Sequence, residues 1–432
     1  MDSKERSAYF WNMLGSLVYA VTSMLLGVAV TKLAGAYAGG IFFFGFSTLG
    51  QQLYIVSYFG MRPIQVTDVS NEYSFGDYLR LRVITSALAV LAGFVYTIIM
   101  TKDSYVFEVY MILSLYKILD GFCDIFESEM QRQDRLDMTG KATLFRTIFC
   151  VGIFLVTLGF TKDLKLSSLA LLPSIVIAAI IFDILPLRRL CPDKVVKKNS
   201  YISLINKSKW LFLGAFIDLY IFAAAKYAVN YRLGEELNGY FSIIFIPTSI
   251  INLMAGFIIR PILTKLSLLY KTGNRKKFIS TILKIAVFIF VATLFGMGAA
   301  YTLGIPVLKL VLVATLFGML AAYILGIPAL KLVLGDVGNA IEPYKPALVL
   351  VILGGGLYAI VNLGYYCLVI FEMTGVIFSI YAVGAVFAYF ISDFMVKSFG
   401  MNGAAFAYMI TMLLLSISFL VAVIFGLRKV KK

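Results

Sequence analysis

Apolar stretches of about 20 residues recur along the whole of this 432-residue chain, and a run of 18 or more is long enough to cross a bilayer as a helix. Twelve such spans are expected, at roughly 8–33, 37–60, 83–100, 106–127, 142–160, 167–185, 210–228, 240–259, 278–304, 347–371, 375–396 and 403–426. The balance of residues agrees: 61% are hydrophobic and 14% charged, against about 45–50% and 25% in soluble domains. The expected fold class is therefore an all-α polytopic membrane protein, with little mass outside the bilayer. The run after Met1–Arg6 is long and lacks a cleavage site, so no cleavable signal peptide is expected. Histidine is absent, which excludes a His-ligated metal, a His-based triad and an imidazole relay. Cys123, Cys150, Cys191 and Cys367 are scattered, so neither a disulfide framework nor a zinc site is indicated. No metal or cofactor is expected.

The net charge of +15 reads as orientation, not as a signal for nucleic acid. Alternate loops carry the cations: Lys4 and Arg6, then Arg62, Arg80 and Arg82, then Arg132, Arg135 and Lys141, then 188–209, 260–277 and the tail. That side holds 25 Lys and Arg, against eight on the other. By the positive-inside rule both termini are expected in the cytoplasm.

Two repeats underlie this pattern. Gly40-Ile41-Phe42 and Arg62-Pro63-Ile64 bracket the second span as Gly239-Tyr240-Phe241 and Arg260-Pro261-Ile262 bracket the eighth, at offsets of 199 and 198 residues. Two six-helix lobes of equal orientation follow, 1–200 and 201–432, with the basic loop 186–209 at the boundary. Transporters built from parallel repeats place the substrate path between the halves. The second repeat is local: 291–312 recurs as 313–334 with three differences in 22 residues. A thirteenth span there would carry the basic tail outward. A helix extension or re-entrant piece broken at Gly304-Ile305-Pro306 and Gly326-Ile327-Pro328 is the expected outcome.

Charges within the hydrocarbon are costly and usually face a cavity. Lys117, Asp120, Asp124, Glu127 and Gln131 follow at spacings of 3, 4, 3 and 4, which puts all five on one helical face. The stripe either pairs with neighbouring helices or walls a water-filled vestibule, in which Asp120 and Asp124 would carry a coupling H⁺ or Na⁺. Arg146, a turn inside the fifth span, suits bidentate binding of phosphate oxygens or snorkels to the interface. Asp218 lies mid-span, with Lys226 as its partner across two turns or snorkelling outward. Asn12 fits a helix–helix hydrogen bond. Arg62 and Arg260 are headgroup anchors or gate residues. Gly354-Gly355-Gly356 above Asn362, Tyr365 and Tyr366 reads as a bent, cavity-lining helix or as close packing through small residues. Asp183 and Lys284 read as structural, and Asp393 with Lys397 as an i,i+4 pair.

The stretch from Lys117 through Asp120-Gly121 to Asp124, the segment Gln131-Arg132-Gln133-Asp134-Arg135-Leu136-Asp137, and Arg146 resemble those of polysaccharide flippases. These are the O-antigen and capsule repeat-unit translocases of the superfamily that also holds the multidrug-and-toxin extruders. The resemblance extends over essentially the full chain and implies two six-helix lobes around a central cavity, working by alternating access in a bacterial inner membrane. The implied cargo is an undecaprenyl-pyrophosphate-linked oligosaccharide, moved from the cytoplasmic to the outer leaflet. Polysaccharide-assembly proteins would be further partners. The 22-residue duplication departs from the family pattern. Arg146, Lys117, Arg62 and Arg260 are the cations for a pyrophosphate, and the acidic stripe would repel that head unless its carboxylates are protonated or ion-bound. A multidrug exporter of the same fold would rely on acidic cavity groups instead. A membrane-embedded enzyme would need a large catalytic loop or an Asp-x-Asp pair, which the outer connections lack. No Walker motif is present for ATP hydrolysis.

Overall fold

The computed structural model describes residues 3–68, 72–190, 201–252, 275–303, 342–371 and 373–429, together with Leu266, Leu269 and Thr272. Arg260, the whole of 191–200 and the repeat beyond Leu303 lie outside the described residues, as do the two Gly-Ile-Pro breaks. Two compact units emerge, Met1–Phe216 and Ile217–Lys432.

In the first unit, helix α1 (Ser3–Ala34) precedes α2 (Ala36–Phe42), which continues through a π-helical stretch, Phe43–Leu49, into α3 (Gly50–Tyr58). Consecutive left-handed residues, Phe59 at φ 51° and Gly60 at φ 63°, end α3 and start the short α4 (Met61–Thr67). The left-handed region suits glycine but costs a bulky side chain; stacking of Phe59 on Phe212, 4.5 Å between ring centroids, holds it there. Helices α5 (Phe75–Met100), α6 (Ser104–Arg132), α7 (Leu136–Thr161) and α8 (Leu164–Ala178) follow. Acceptor side chains satisfy the first N–H groups of α5, α6 and α8. Ser74 and Asp77 form a capping box on α5, while Asp103 and Asp163 cap α6 and α8. A second π-helical stretch, Ala179–Ile184, leads into α9 (Leu185–Leu190). Pro186 in that helix has no N–H to return to the preceding turn.

Helix α10 (Tyr201–Leu233) begins in the first unit and runs into the second. There α11 (Glu235–Ile244), α12 (Arg275–Leu303), α13 (Lys345–Ile370) and α14 (Thr374–Lys429) follow. Gly400, at φ 57° and ψ −137°, breaks α14 into the two spans expected from the sequence. Helix α13 is continuous through Gly354-Gly355-Gly356. A Cβ there would lie 2.9 Å from Thr248 at Gly355 and against Tyr408 and Thr293 at its neighbours. The triplet is thus a close-packing surface.

Seven described helices are long and apolar enough to cross a membrane. Helix α5 shows the pattern a bilayer demands. Asp77, Arg82, Thr85, Ala89, Gly93 and Thr97 face inward, whereas Val83, Leu88, Leu91, Val95, Ile98 and Ile99 are exposed. Small and polar groups pack between helices while large apolar ones meet lipid. Among the described residues every regular element is helical, as lipid requires of a single chain segment that must satisfy its own backbone. The protein is an all-α, multi-pass membrane protein.

Candidate functional site

The acidic face of α6 is fully engaged inside the first unit. Arg62, carried by α4 just past the Phe59–Gly60 break, donates to Asp124 Oδ1 at 2.6 Å and to Gln131 Oε1 at 3.1 Å, and it lies 3.4 Å from Glu127. Arg82 of α5, 0% exposed, donates to Asp124 Oδ2 at 3.1 Å and to the backbone carbonyls of Ser57 and Gly121 at 3.1 and 3.0 Å. Arg146 of α7 places Nη1 2.9 and 2.8 Å from the two oxygens of Asp183, and Nη2 2.7 Å from Glu127 and 3.3 Å from Asp120. Lys117 Nζ donates to Tyr19 Oη at 2.9 Å and sits 3.8 Å from Asp120, whose Oδ2 accepts the Tyr19 hydroxyl at 2.8 Å.

Four carboxylates, Asp120, Asp124, Glu127 and Asp183, therefore face four cations, Arg62, Arg82, Lys117 and Arg146. The formal charge of the set is zero. A buried carboxylate is stable only when paired and hydrogen-bonded, and each of these is. The stripe is not a naked row of carboxylates, because Arg62, Arg82 and Arg146 neutralise it in place. Arg146 pairs with carboxylates and does not snorkel. Arg62 is the most exposed of the four cations, with 28% of its side chain accessible.

Sequence reasoning missed two members of this set. Arg82 stands among the loop cations in the sequence reading, yet it is wholly buried about two turns inside α5. Asp183, structural in the sequence reading but without a named partner there, closes the Arg146 pair from the widened π-helical turn of Ala179–Ile184. In Arg82 the signal was local: no charged residue follows it before the end of α5, so it stands at the head of an apolar run, where a cation needs a partner.

Beyond Gln131 a second cluster surrounds Glu129. It accepts from Arg132 at 2.7 and 3.1 Å, from Gln133 at 3.1 Å and from Gln65 at 2.9 Å. Arg132 also reaches the Tyr73 carbonyl at 3.1 Å and lies 3.6 Å from Asp68.

In the second unit Asp218 Oδ2 accepts the Tyr358 hydroxyl at 2.7 Å, and the Tyr381 hydroxyl meets the same carboxylate. Phe222, Phe245, Tyr358 and Tyr408 form an aromatic cluster nearby, with ring centroids 4.6–5.9 Å apart. Lys226, 8% exposed, does not pair with Asp218 among the described residues; its Nζ lies over the Phe245 ring at 4.7 Å. Eight residues of helix separate the two by about 12 Å, beyond a lysine's reach to a short carboxylate on the same helix. Asp393 likewise takes Arg232 at 2.7 Å through both oxygens in preference to Lys397. Asn12 is half-buried in α1, its backbone against Gly140 of α7, and Asn362 is half-buried in α13. Among the described residues no cluster of three or more metal-ligating side chains occurs.

The chain has the fold of membrane transporters of the MOP superfamily. An outward-facing multidrug resistance MATE family transporter is 14% identical over 100% of this chain and 97% of its own, at a TM-score of 0.57. The lipid II flippase MurJ, in an inward closed conformation, is 12% identical over 99% of this chain and 89% of its own, at 0.63. A MOP superfamily transporter from Pyrococcus furiosus is 13% identical over 100% and 97%, at 0.51. No protein-family profile and no curated protein sequence matches the chain.

Proposed function

We propose that the protein is a flippase that moves an undecaprenyl-pyrophosphate-linked oligosaccharide repeat unit from the cytoplasmic to the outer leaflet of a bacterial inner membrane by alternating access, with both termini cytoplasmic. The observation that carries this reading is the arginine content of the first unit. Three arginines and a lysine offset every carboxylate of the α6 stripe, and the most exposed of them, Arg62, can trade a carboxylate oxygen for a phosphate oxygen. Arg146 and Lys117 hold the stripe in place behind it, and Arg260 is the matching contact by the internal repeat. Asn12 and Asn362 are the neutral cavity contacts. Coupling to H⁺ or Na⁺ falls to a carboxylate without a cationic partner. Among the described residues Asp218 is met only by tyrosine hydroxyls, whereas Asp120 and Asp124 take a cation only by releasing their present partners. The likeness to MurJ is compatible with a lipid-linked cargo.

A second reading is favoured by one observation. Asp218, set beside aromatic rings, is the kind of site that suits an organic cation, as a drug exporter of the same fold would need, and Lys226 would then tune it. Deletion of the gene followed by analysis of lipid-linked intermediates separates the two. The flippase reading expects one undecaprenyl-linked oligosaccharide to accumulate on the cytoplasmic face. Normal surface polysaccharide with no such accumulation, together with new drug sensitivity, would replace it with the exporter reading.

A further inference from the structure

Lys117 sits in the part of α6 that the sequence reading expects to cross the membrane, with 1% of its side chain exposed, and its surroundings are those of a cation-binding site. Its ammonium lies over three rings, 4.5 Å from the centroid of Phe46, 5.2 Å from Tyr19 and 5.7 Å from Tyr54. Two oxygens complete the shell, Tyr19 Oη at 2.9 Å and Asp120 Oδ2 at 3.8 Å. Aromatic faces and a carboxylate are the groups that recognise free ammonium and other monovalent cations. The stem of the lysine has been given room: a Cβ at Gly50 of α3 would lie 2.8 Å from Lys117 Cγ, so a larger residue there would displace it. The remaining oxygen of Asp120 is taken by Arg146 at 3.3 Å. No vacancy is left for an ion beside Asp120 while the lysine is present.

We propose that Lys117 is a tethered cation, its ammonium filling from within the chain the site formed by Asp120, Tyr19, Phe46 and Tyr54, so that this site accepts a free monovalent cation only when the lysine is removed. The inference rests on the transporter reading only for its consequence, that Asp120 does not exchange a coupling ion with solvent; the binding itself is independent of cargo. A lysine costs the chain no loss of translational freedom when it docks, because it is already covalently in place, and a fixed cation keeps the stripe neutral throughout a transport cycle.

The test is cation-dependent thermal stability of the purified full chain in detergent. Sodium chloride and methylammonium chloride are each titrated against N-methylglucamine chloride at constant ionic strength. The wild-type midpoint is expected to be the same in all three salts as far as Asp120 is concerned, meaning that any sodium effect survives Asp120→Asn. Lys117→Ala is expected to gain a saturable upward shift in methylammonium or sodium, lost again in Lys117→Ala/Asp120→Asn. Lys117→Gln, which keeps more of the side-chain volume, serves where the alanine variant is poorly folded, with recovery of a monodisperse species by added methylammonium as readout. A sodium-dependent shift in the wild type that Asp120→Asn abolishes would overturn the proposal. A flat titration in the folded lysine variants, or failure of methylammonium to recover either, would do the same. If lipid-linked intermediates do not accumulate on deletion while these shifts occur, the flippase reading fails and the tethered cation stands.

Discussion

Replacing Asp183 by leucine tests whether the charge set is desolvated. Asp183 is 0% exposed and Arg146 is 5% exposed, with 2.8 Å between them. Asp183→Leu leaves three carboxylates facing four cations, and Arg146→Met leaves four facing three. Removing one partner of a buried pair costs about 3–5 kcal/mol because the other is left as an uncompensated buried charge, whereas replacing both with apolar groups of similar volume is often neutral. The double variant returns the set to three against three, since Asp120 keeps Lys117, Asp124 keeps Arg82, and Glu127 keeps Arg62 at 3.4 Å. Each single change is therefore expected to lower unfolding free energy by about 3–5 kcal/mol, and the double change by less than either. Equilibrium unfolding in mixed detergent micelles reads all four proteins. Additive losses, or a loss below about 1 kcal/mol for Asp183→Leu, would mean that water already screens the pair, and the reasoning would fall.

Other expectations follow from neighbouring residues. Arg82→Met, which abandons two backbone carbonyls as well as Asp124, should cost about 3 kcal/mol or more in the same unfolding measurement. Arg62→Met, at a partly exposed site, should cost clearly less. Gly140→Ala pushes a methyl into the Trp11 carbonyl of α1 and should lose about 1–3 kcal/mol. Gly152→Ala on the same helix meets nothing within 4 Å and should be neutral or gain up to about 1 kcal/mol; equal effects would refute the close approach of α1 and α7. At Asp68 burial pushes the carboxyl up, but the backbone N–H groups of Tyr73 and Glu72, the Tyr78 hydroxyl and Arg132 together hold it below the usual carboxylate range. A depressed folded value makes this stabilisation complete above the unfolded value of about 4 and lost as pH falls through the folded one. The stability gap between wild type and Asp68→Asn should therefore shrink on acidification below about pH 4, and a gap that widens there would reverse the sign.

What the sequence disclosed was whatever repeats along one helix. The 3- and 4-residue spacing of Lys117, Asp120, Asp124, Glu127 and Gln131 put them on one face before any packing was known, and the helix breaks near Phe59 and Gly400 were marked by the ends of apolar runs. Pairings were not disclosed. Arg82 meets Asp124 across 42 residues, Arg146 meets Asp183 across 37 and Arg232 meets Asp393 across 161. Each depends on which helices lie side by side, and local spacing favoured nearer candidates such as Lys226 and Lys397. Near a span end, hydropathy treats a cation as a loop marker. That is why Arg82, with a partner supplied from another helix, was misplaced.

The order in which these charges appear along the chain bears on how the protein is made. Helix α6 alone would bring Lys117, Asp120, Asp124 and Glu127 into lipid, at about 2.5–3.5 kcal/mol each on insertion scales. Arg62 and Arg82 have already been synthesised when α6 leaves the ribosome, so the tally at that point is three positive and three negative. Arg146 and Asp183 arrive next, one of each sign, on α7 and on the turn after α8. The ledger is level after the fourth span and level again after the sixth. The nascent chain can enter the bilayer as two charge-balanced instalments, and exchanging the positions of Arg82 and Asp183 would spoil biogenesis while preserving the composition.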